Sequence, residues 1–256
     1  MSTQLTPSDA DHWMRRARGQ VRLRWGLWIL LLLTAVGLSG YAAVYPNPGG
    51  NGSPEGADFS GVAQVQTGSS TGSAFLVDTR YALTAAHVAG DTESSVNLIF
   101  KDGAQVKGTV VASGYDKLQQ YMTDENTVSE GATPHDWALI ELDSQLPFEK
   151  TVPVMESINS VDTQSEVFAV GYPGGGQHNV SSGILSGKDN NELRTDAAID
   201  PGHSGGLLYS AKEQLALGII VSTPKINGQR AASVNNAVPV DLVIQKCQEE
   251  GYLDML

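Results

Sequence analysis

The stretch Thr195-Asp-Ala-Ala-Ile-Asp-Pro-Gly-His-Ser-Gly-Gly-Leu-Leu208 places the hydroxyl of Ser204 between glycines, directly after a Pro201-Gly202 turn. A serine hydroxyl is a weak nucleophile at neutral pH, so catalysis needs a neighbouring base and donors for the developing oxyanion. Glycines beside the serine let the backbone turn its N–H groups inward. We predict Ser204 as a nucleophile, with the N–H groups of Gly202 and Ser204 as the oxyanion hole. The alternative is an ordinary turn between two strands.

The residues from Gly202 to Gly206 also match G-x-S-x-G, the nucleophile elbow of the α/β-hydrolases. That class needs its catalytic histidine after the serine. None of the five histidines follows Ser204. The order of residues therefore excludes a lipase or esterase elbow and leaves open the order histidine, aspartate, serine.

Two upstream segments supply that order. His87 follows a short apolar run and lies among small residues, and Asp136 begins the apolar run Trp137–Leu142. A carboxylate at that place can accept the Nδ1–H of the imidazole and stabilise the imidazolium. Each segment alone is weak, because strand-leading aspartates are common turn formers. Together with Ser204 they predict a catalytic triad.

These segments resemble the three active-site blocks of the trypsin/chymotrypsin superfamily, and specifically its bacterial HtrA/Deg-like branch. The resemblance covers roughly residues 59–248, and the matching stretches are Thr84-Ala-Ala-His-Val88, Asp136–Leu142, Thr195–Gly206, Ala169–Gly174, Ser182–Ser186 and Asn236–Asp241. It implies an all-β, double six-stranded β-barrel serine endopeptidase that acts on proteins or peptides. It also implies His87 as the base, Asp136 as its orienting acid and Ser204 as the nucleophile.

The resemblance further implies where the S1 pocket lies. Its base is six residues before the nucleophile, which is Ala198, and there is no acid there to hold Lys or Arg. Its walls are expected to include Ile220, Val221, Ser222 and Thr223. We therefore expect a preference for small or medium aliphatic P1 residues such as Val, Ala or Leu.

Three departures from the family pattern limit what the resemblance implies. Asp200 and His203 replace residues that are usually asparagine, and we expect His203 to point to solvent, with a perturbed oxyanion loop as the alternative. Since His203 also stands where zymogens carry their pairing aspartate, we do not expect zymogen-style activation. We also expect no PDZ domain after Leu256, so regulation through such a domain does not carry over. HtrA-like relatives are often trimers, but no residues for oligomerisation can be identified.

The N-terminal part has a different composition. Residues 1–24 carry a formal +3, and Trp25–Tyr45 is a run of 21 uncharged residues with aromatics at both ends. About 20 apolar residues suffice to cross a bilayer, and flanking arginines favour the cytoplasmic side. We expect a single-pass signal anchor in a bacterial inner membrane, with the protease domain periplasmic or extracellular. A cleaved signal peptide ending near Gly40-Tyr-Ala42 is the alternative.

A Gly/Pro-rich linker, residues 46–58, precedes the protease domain at 59–256. Short apolar runs separated by turns predict an all-β domain. Examples of the predicted strands are Gly61–Gln66, Ser73–Val77, Tyr81–Thr84, Val96–Phe100, Val106–Ala112, Trp137–Leu142, Glu166–Val170, Leu215–Ser222 and Ala231–Val234. The spacing of apolar residues in Asp241–Gln248 predicts a closing helix. We interpret Tyr115–Pro134 as a solvated insertion, with a role in covering the cleft as the alternative.

Charge and cysteine content restrict the function further. Taking the N-terminal +3 from the formal −12 leaves −15 for residues 46–256, which argues against nucleic acid as a partner. The single cysteine, Cys247, allows no intrachain disulfide. No Cys/His cluster has zinc spacing, and we expect neither a metal nor a cofactor. A second hypothesis is a binding or chaperone-like module that keeps the fold with a silent or regulated site.

Overall fold

The computed structural model describes residues 54, 56–121, 131–189, 191–222, 225–226, 229–230 and 234–253. The predicted signal anchor, the basic segment before it, most of the linker and the middle of the insertion lie outside these residues. Within the described part of the chain, no helix is long and apolar enough to cross a membrane.

Six antiparallel strands close into a first barrel in the order β1-β2-β3-β6-β5-β4. The strands are β1 (Val62–Gln66), β2 (Thr71–Leu76), β3 (Tyr81–Thr84), β4 (Ser95–Phe100), β5 (Gln105–Ser113) and β6 (Ala138–Leu142). Strand β5 alternates buried with more exposed residues, because successive side chains of a strand point to opposite faces. Its buried face packs into the barrel.

A second barrel follows in the order β10-β11-β14-β9-β8-β7. Its strands are β7 (Glu166–Gly171), β8 (Asn179–Lys188), β9 (Leu193–Thr195), β10 (Leu207–Ser210), β11 (Leu215–Ser222) and β14 (Asn235–Pro239). Between the last two lies a two-stranded hairpin of β12 (Lys225–Ile226) and β13 (Gln229–Arg230). Helix α3 (Val240–Glu249) follows β14 and buries Val240, Val243, Ile244 and Cys247.

The two six-stranded barrels and α3 confirm the predicted all-β double barrel and its closing helix. Each predicted strand up to Leu215–Ser222 overlaps an observed one. The last prediction, Ala231–Val234, lies mostly outside the described residues, and β14 begins only at Asn235. Six observed strands have no counterpart among the predicted examples, namely β8, β9, β10 and β14 of the second barrel and the hairpin strands β12 and β13. Strand β8 is rich in Ser and Gly, and β10 follows the glycine loop directly, so neither has a clear apolar alternation.

The interpretation of Tyr115–Pro134 as a solvated loop is wrong at both of its ends. Residues Tyr115–Gln119 form a short helix, α2, and Thr133–His135 form a turn of 3-10 helix. Leu118 and Ala132 are buried together with Ala86, which belongs to the one-turn helix α1 (Ala86–Ala89). The two described ends of the insertion therefore pack against the helix that carries His87.

Candidate active site

The pairing of β3 with β6 brings the predicted base and its acid together. Thr84 lies opposite Ala138 in an antiparallel register. The segment that follows β3 and the segment that precedes β6 therefore lie side by side at one end of the barrel. His87 lies in α1, and Asp136 ends the turn before β6. The Nδ1 of His87 is 2.7 Å from Oδ2 of Asp136, and the backbone N–H of His87 donates to Oδ1 at 3.0 Å.

The surroundings of this pair favour a charged imidazole. Only 6% of the Asp136 side chain is exposed, compared with 34% of the His87 side chain. Burial acts to lower the pKa of His87, but the charge and the hydrogen bond of Asp136 outweigh burial, and the pKa is raised. The bond from Nδ1 to the carboxylate leaves Nε2 of the neutral imidazole free to accept a proton.

The loop that carries Ser204 lies close to the residues on either side of His87 in sequence. A Cβ added to Gly205 would meet Thr84 and Ala85, and one added to Gly72 would meet Val88 and the carbonyl of Ser204. Ser204 Oγ donates to the carbonyl oxygen of Val221 at 3.3 Å. Among the hydrogen bonds of the described residues, none joins Ser204 to His87. Catalytic hydrogen bonds are often long or absent before substrate binds, so this arrangement leaves the assignment of Ser204 open.

The two predicted oxyanion donors have no hydrogen-bond acceptor among the described residues, and the carbonyl group of each donor's own peptide is anchored by another N–H group. Pro201 O accepts from Gly174 N at 2.6 Å, and His203 O accepts from Gly206 N at 2.8 Å. In a trans peptide the C=O and N–H point in opposite directions. The N–H groups of Gly202 and Ser204 are therefore turned away from these anchored carbonyls.

The glycine at position 202 is required by its conformation and by its neighbours. Its φ is +102°, a region that residues with a Cβ rarely adopt. A Cβ at this position would also collide with the carbonyl of Tyr172 and would lie 2.7 Å from the nitrogen of Gly174. The turn that offers the Gly202 N–H is thus fixed by the shape of the loop around it.

His203 is buried, so the expectation that it points to solvent is wrong. Only 2% of the residue is exposed. Its Nδ1 accepts the backbone N–H of Asp200 at 3.0 Å, and Nε2 is 3.3 Å from Oδ1 of Asn179. Burial lowers the pKa of His203 and outweighs the opposing effects of Asp200. The imidazole is thus a neutral internal support of the loop that carries Ser204.

The residues predicted for the S1 pocket are described only in part. Ala198 is exposed, and its carbonyl accepts from Ser181 Oγ at 2.6 Å. Ile220 and Val221 are buried on β11, which bulges at this point. The side chain of Ser222 and the whole of Thr223 lie outside the part of the chain that the structure describes. A surface groove of about 930 Å³ lies elsewhere, between α3 and the residues around Val154, and contains no predicted site residue.

Two features of the site were missed from sequence. Ser73 of β2 is wholly buried, and its hydroxyl donates to Gly202 O at 2.7 Å. Glu192 accepts from Thr133 Oγ1 at 2.7 Å and so joins the second barrel to the turn before Asp136. A small polar residue within an apolar strand is the only sequence signal for Ser73. Within the described residues, no group of three or more His, Cys, Asp or Glu could hold a metal ion.

The two closed barrels, with an imidazole–carboxylate pair on one and a glycine-flanked serine on the other, define a chymotrypsin-type fold. The family model of the trypsin-like peptidase domain matches residues 72–219, more than half of the chain. The chain therefore belongs to the trypsin-like peptidase family.

Similar proteins are HtrA and Do-like proteases. Protease Do-like 1 of Arabidopsis thaliana, a chloroplastic protein, is 28% identical over 159 residues, which are 56% of this chain and 36% of that protein. Serine protease Do-like HtrB of Bacillus subtilis (strain 168) is 30% identical over 123 residues, 41% of this chain and 26% of that protein. The chain thus spans about a third or less of the length of these curated relatives.

Solved structures show the same fold. The HtrA-type protease AlgWS227A with tripeptide has a TM-score of 0.59 and 22% identity, over 77% of this chain and 62% of that one. The serine endoprotease from Yersinia pestis has a TM-score of 0.57 and 25% identity, over 77% and 64%. The chain carries a trypsin-like peptidase domain that is similar to those of HtrA and Do-like proteases.

Proposed function

We propose that the chain is a serine endopeptidase that hydrolyses peptide bonds of proteins or peptides with a triad of His87, Asp136 and Ser204. The observation that carries this proposal is the 2.7 Å contact between His87 Nδ1 and Asp136 Oδ2. It holds the imidazole in the tautomer that a general base needs. Membership of the trypsin-like peptidase family supports the same activity.

In the proposed reaction, Ser204 Oγ leaves its contact with the Val221 carbonyl and attacks the scissile carbonyl carbon, while His87 Nε2 takes its proton. Asp136 stabilises the imidazolium that forms. The N–H groups of Gly202 and Ser204 donate to the oxyanion of the tetrahedral intermediate. His87 then protonates the leaving amine. In the second half of the reaction a water molecule attacks the acyl carbon while His87 takes its proton, and His87 returns that proton to Ser204 Oγ as the acid product leaves.

The test is labelling of the full chain, in mild detergent, by a fluorophosphonate probe that reacts with activated serines. We expect labelling that is lost in Ser204→Ala and strongly reduced in His87→Ala. A matched control is Ser210→Ala, since Ser210 is a buried serine on β10. Labelling that persists in Ser204→Ala, or is unaffected in His87→Ala, would contradict the triad.

A silent or regulated module remains the second candidate, because Ser204 Oγ bonds to Val221 O and not to His87. The same experiment separates the two functions. Folded wild-type protein that takes up no probe would favour the binding module over the peptidase.

We propose a P1 preference for small or medium aliphatic residues, because Ala198 supplies no acid at the expected base of the pocket. A library of peptides that varies only the P1 residue tests this. We expect cleavage after Val, Ala or Leu. Cleavage mainly after Lys, Arg or Glu would show that the pocket has been assigned wrongly.

We propose that Trp25–Tyr45 anchors the domain to a bacterial inner membrane with the domain on the outer side, supported by the uncharged run and the arginines before it. In this proposal the chain stays in the membrane pellet after carbonate washing, and external protease reaches residues beyond 45 in intact spheroplasts. Release of the chain by carbonate would rule out an anchor.

A further inference from the structure

Ser73 makes contacts that span the two barrels. Its hydroxyl donates to Gly202 O at 2.7 Å and accepts from the backbone N–H of Tyr172 at 2.9 Å. Its own N–H donates to Ser204 O at 2.8 Å, and its carbonyl accepts from Thr84 Oγ1 at 2.7 Å. The residue is wholly buried on β2 of the first barrel, whereas three of these partners belong to the second.

These contacts control the two peptide groups on either side of Gly202. The peptide after Gly202 is held directly, because its carbonyl accepts the Ser73 hydroxyl. The peptide before Gly202 is held by Gly174 N, which donates to Pro201 O at 2.6 Å. Since Tyr172 N donates to Ser73 Oγ, the same hydroxyl also fixes the turn that carries Gly174.

Gly202 has more intrinsic backbone freedom than its neighbours Pro201 and His203. Glycine has more backbone freedom than any other residue, and here it has a φ of +102°. Rotation of the peptide before it would replace the inward N–H by a carbonyl oxygen. Two hydrogen bonds on opposite sides of Gly202, both connected to one buried hydroxyl, oppose that rotation.

We propose that Ser73 is a positioning residue that holds the oxyanion loop in its donating conformation from the opposite barrel. This proposal rests on the proposed peptidase function. Ser73 does not touch substrate, and it acts by keeping the Gly202 N–H turned toward the oxyanion. Its removal leaves Gly202 O and Tyr172 N without their partner inside the protein.

The experiment measures the rate of phosphonylation of Ser204 by the fluorophosphonate probe against probe concentration and pH. We expect Ser73→Ala to lower the maximal rate by about tenfold to a hundredfold, below the loss for deleting a whole oxyanion donor. The half-saturating probe concentration should change by less than about twofold, because probe binding outside the oxyanion hole is untouched. The acid limb of the rate profile should not move, because it reports on His87.

Two variants separate positioning from stability. Ser210→Ala removes another buried serine, whose Oγ accepts from Glu213 N at 3.1 Å, and should keep the wild-type rate. Ser73→Cys keeps a weak donor of similar size and should fall between wild type and Ser73→Ala. A Ser73→Ala rate equal to that of Ser210→Ala would overturn the proposal. If Ser73→Ala does not fold, a Ser73→Cys rate equal to wild type would overturn it.

Hydrogen–deuterium exchange of residues 200–206 gives a readout that does not require activity. We expect faster exchange in Ser73→Ala and Ser73→Cys than in wild type, and no change in Ser210→Ala. Folded wild-type protein that is not labelled would count against the peptidase function alone. Unchanged exchange in both Ser73 variants would count against the role of Ser73 whatever the labelling result.

Discussion

Nδ1 of His203 lies between the two backbone groups of Asp200, 3.0 Å from its nitrogen and 3.2 Å from its carbonyl oxygen. The other ring nitrogen, Nε2, lies 3.3 Å from Asn179 Oδ1, a contact that suits a donor. A second proton on the ring would be placed on Nδ1, where it would displace the bond from the Asp200 N–H and donate to the Asp200 carbonyl oxygen. The protonation state of this buried histidine therefore decides which hydrogen bonds hold the loop that carries Ser204.

This arrangement predicts that part of the loss of folding stability at low pH comes from His203. Burial lowers its pKa in the folded state, so the unfolded chain takes up the proton first as pH falls. The stabilising contribution is present above the unfolded value of about 6.5 and is lost as pH falls toward the folded pKa. We expect the drop in Tm between pH 7.5 and pH 5 to be smaller in His203→Asn than in wild type. Equal drops in the two proteins would contradict this role of His203.

The pair of His87 and Asp136 predicts a shift in the pH profile of labelling. The base must be neutral to act, and its pKa is raised, so activity should fall at a pH above 6.5 when the solution is acidified. Asp136→Asn removes the opposing charge, so the acid limb should move to lower pH. The plateau rate should fall by about 10³- to 10⁴-fold, because the favoured tautomer is lost.

The matched control for this variant is Glu141→Gln. Glu141 lies on the same barrel and forms an exposed pair with Arg80 at 2.8 Å. We expect neither the acid limb nor the plateau to change. An unshifted acid limb in Asp136→Asn would show that Asp136 does not set the pKa of His87.

Two glycines with similar backbone angles should respond differently to alanine. Gly205 has a φ of +83° and Gly103 a φ of +85°. A Cβ at Gly205 would collide with the Ser73 carbonyl and Thr84 Oγ1, whereas Gly103 has nothing within 4 Å. We expect Gly103→Ala to cost about 1–2 kcal/mol from its φ alone. Gly205→Ala should cost about 1–3 kcal/mol more from overpacking. Equal losses in urea denaturation would contradict the collision.

The bond between Thr133 and Glu192 predicts a measurable coupling between the barrels. Thr133 Oγ1 donates to Glu192 Oε2 at 2.7 Å, and the same oxygen accepts from Asn236 Nδ2 at 3.0 Å. Thr133→Val should lower the free energy of unfolding by about 1–3 kcal/mol, because a hydrogen bond to a charged group is lost. A double-mutant cycle with Glu192→Gln should give a coupling of about 1 kcal/mol.

Thr151→Val is the control for this cycle. Thr151 Oγ1 donates to Phe148 O at 2.8 Å in an exposed turn, so its loss should cost less than about 0.5 kcal/mol. Additive effects of Thr133→Val and Glu192→Gln would mean that the two side chains contribute separately.

Short sequence motifs were enough to predict the candidate triad residues and many of the strands. His87, Asp136 and the glycines around Ser204 each belong to a short motif, and β3 was predicted with its observed bounds. The expected exposure of His203 was wrong because its ring contacts residues distant in sequence, among them Asn179, 24 positions away. Ser73 was missed for the same reason, since its hydroxyl bonds to Gly202, 129 positions away. Contacts across the barrels have no periodicity that a single sequence could show.

The order of strands in the second barrel has a consequence during synthesis of the chain. The first barrel is complete once Leu142 has left the ribosome, so His87 and Asp136 can meet early. The second barrel has β14 between β9 and β11, and it cannot close until residues 235–239 have been made. Domains generally fold as units as they emerge. Under the proposed function, a nascent chain therefore contains His87 and Asp136 for nearly a hundred residues before the barrel that carries Ser204 can close, and we expect no peptidase activity in that interval.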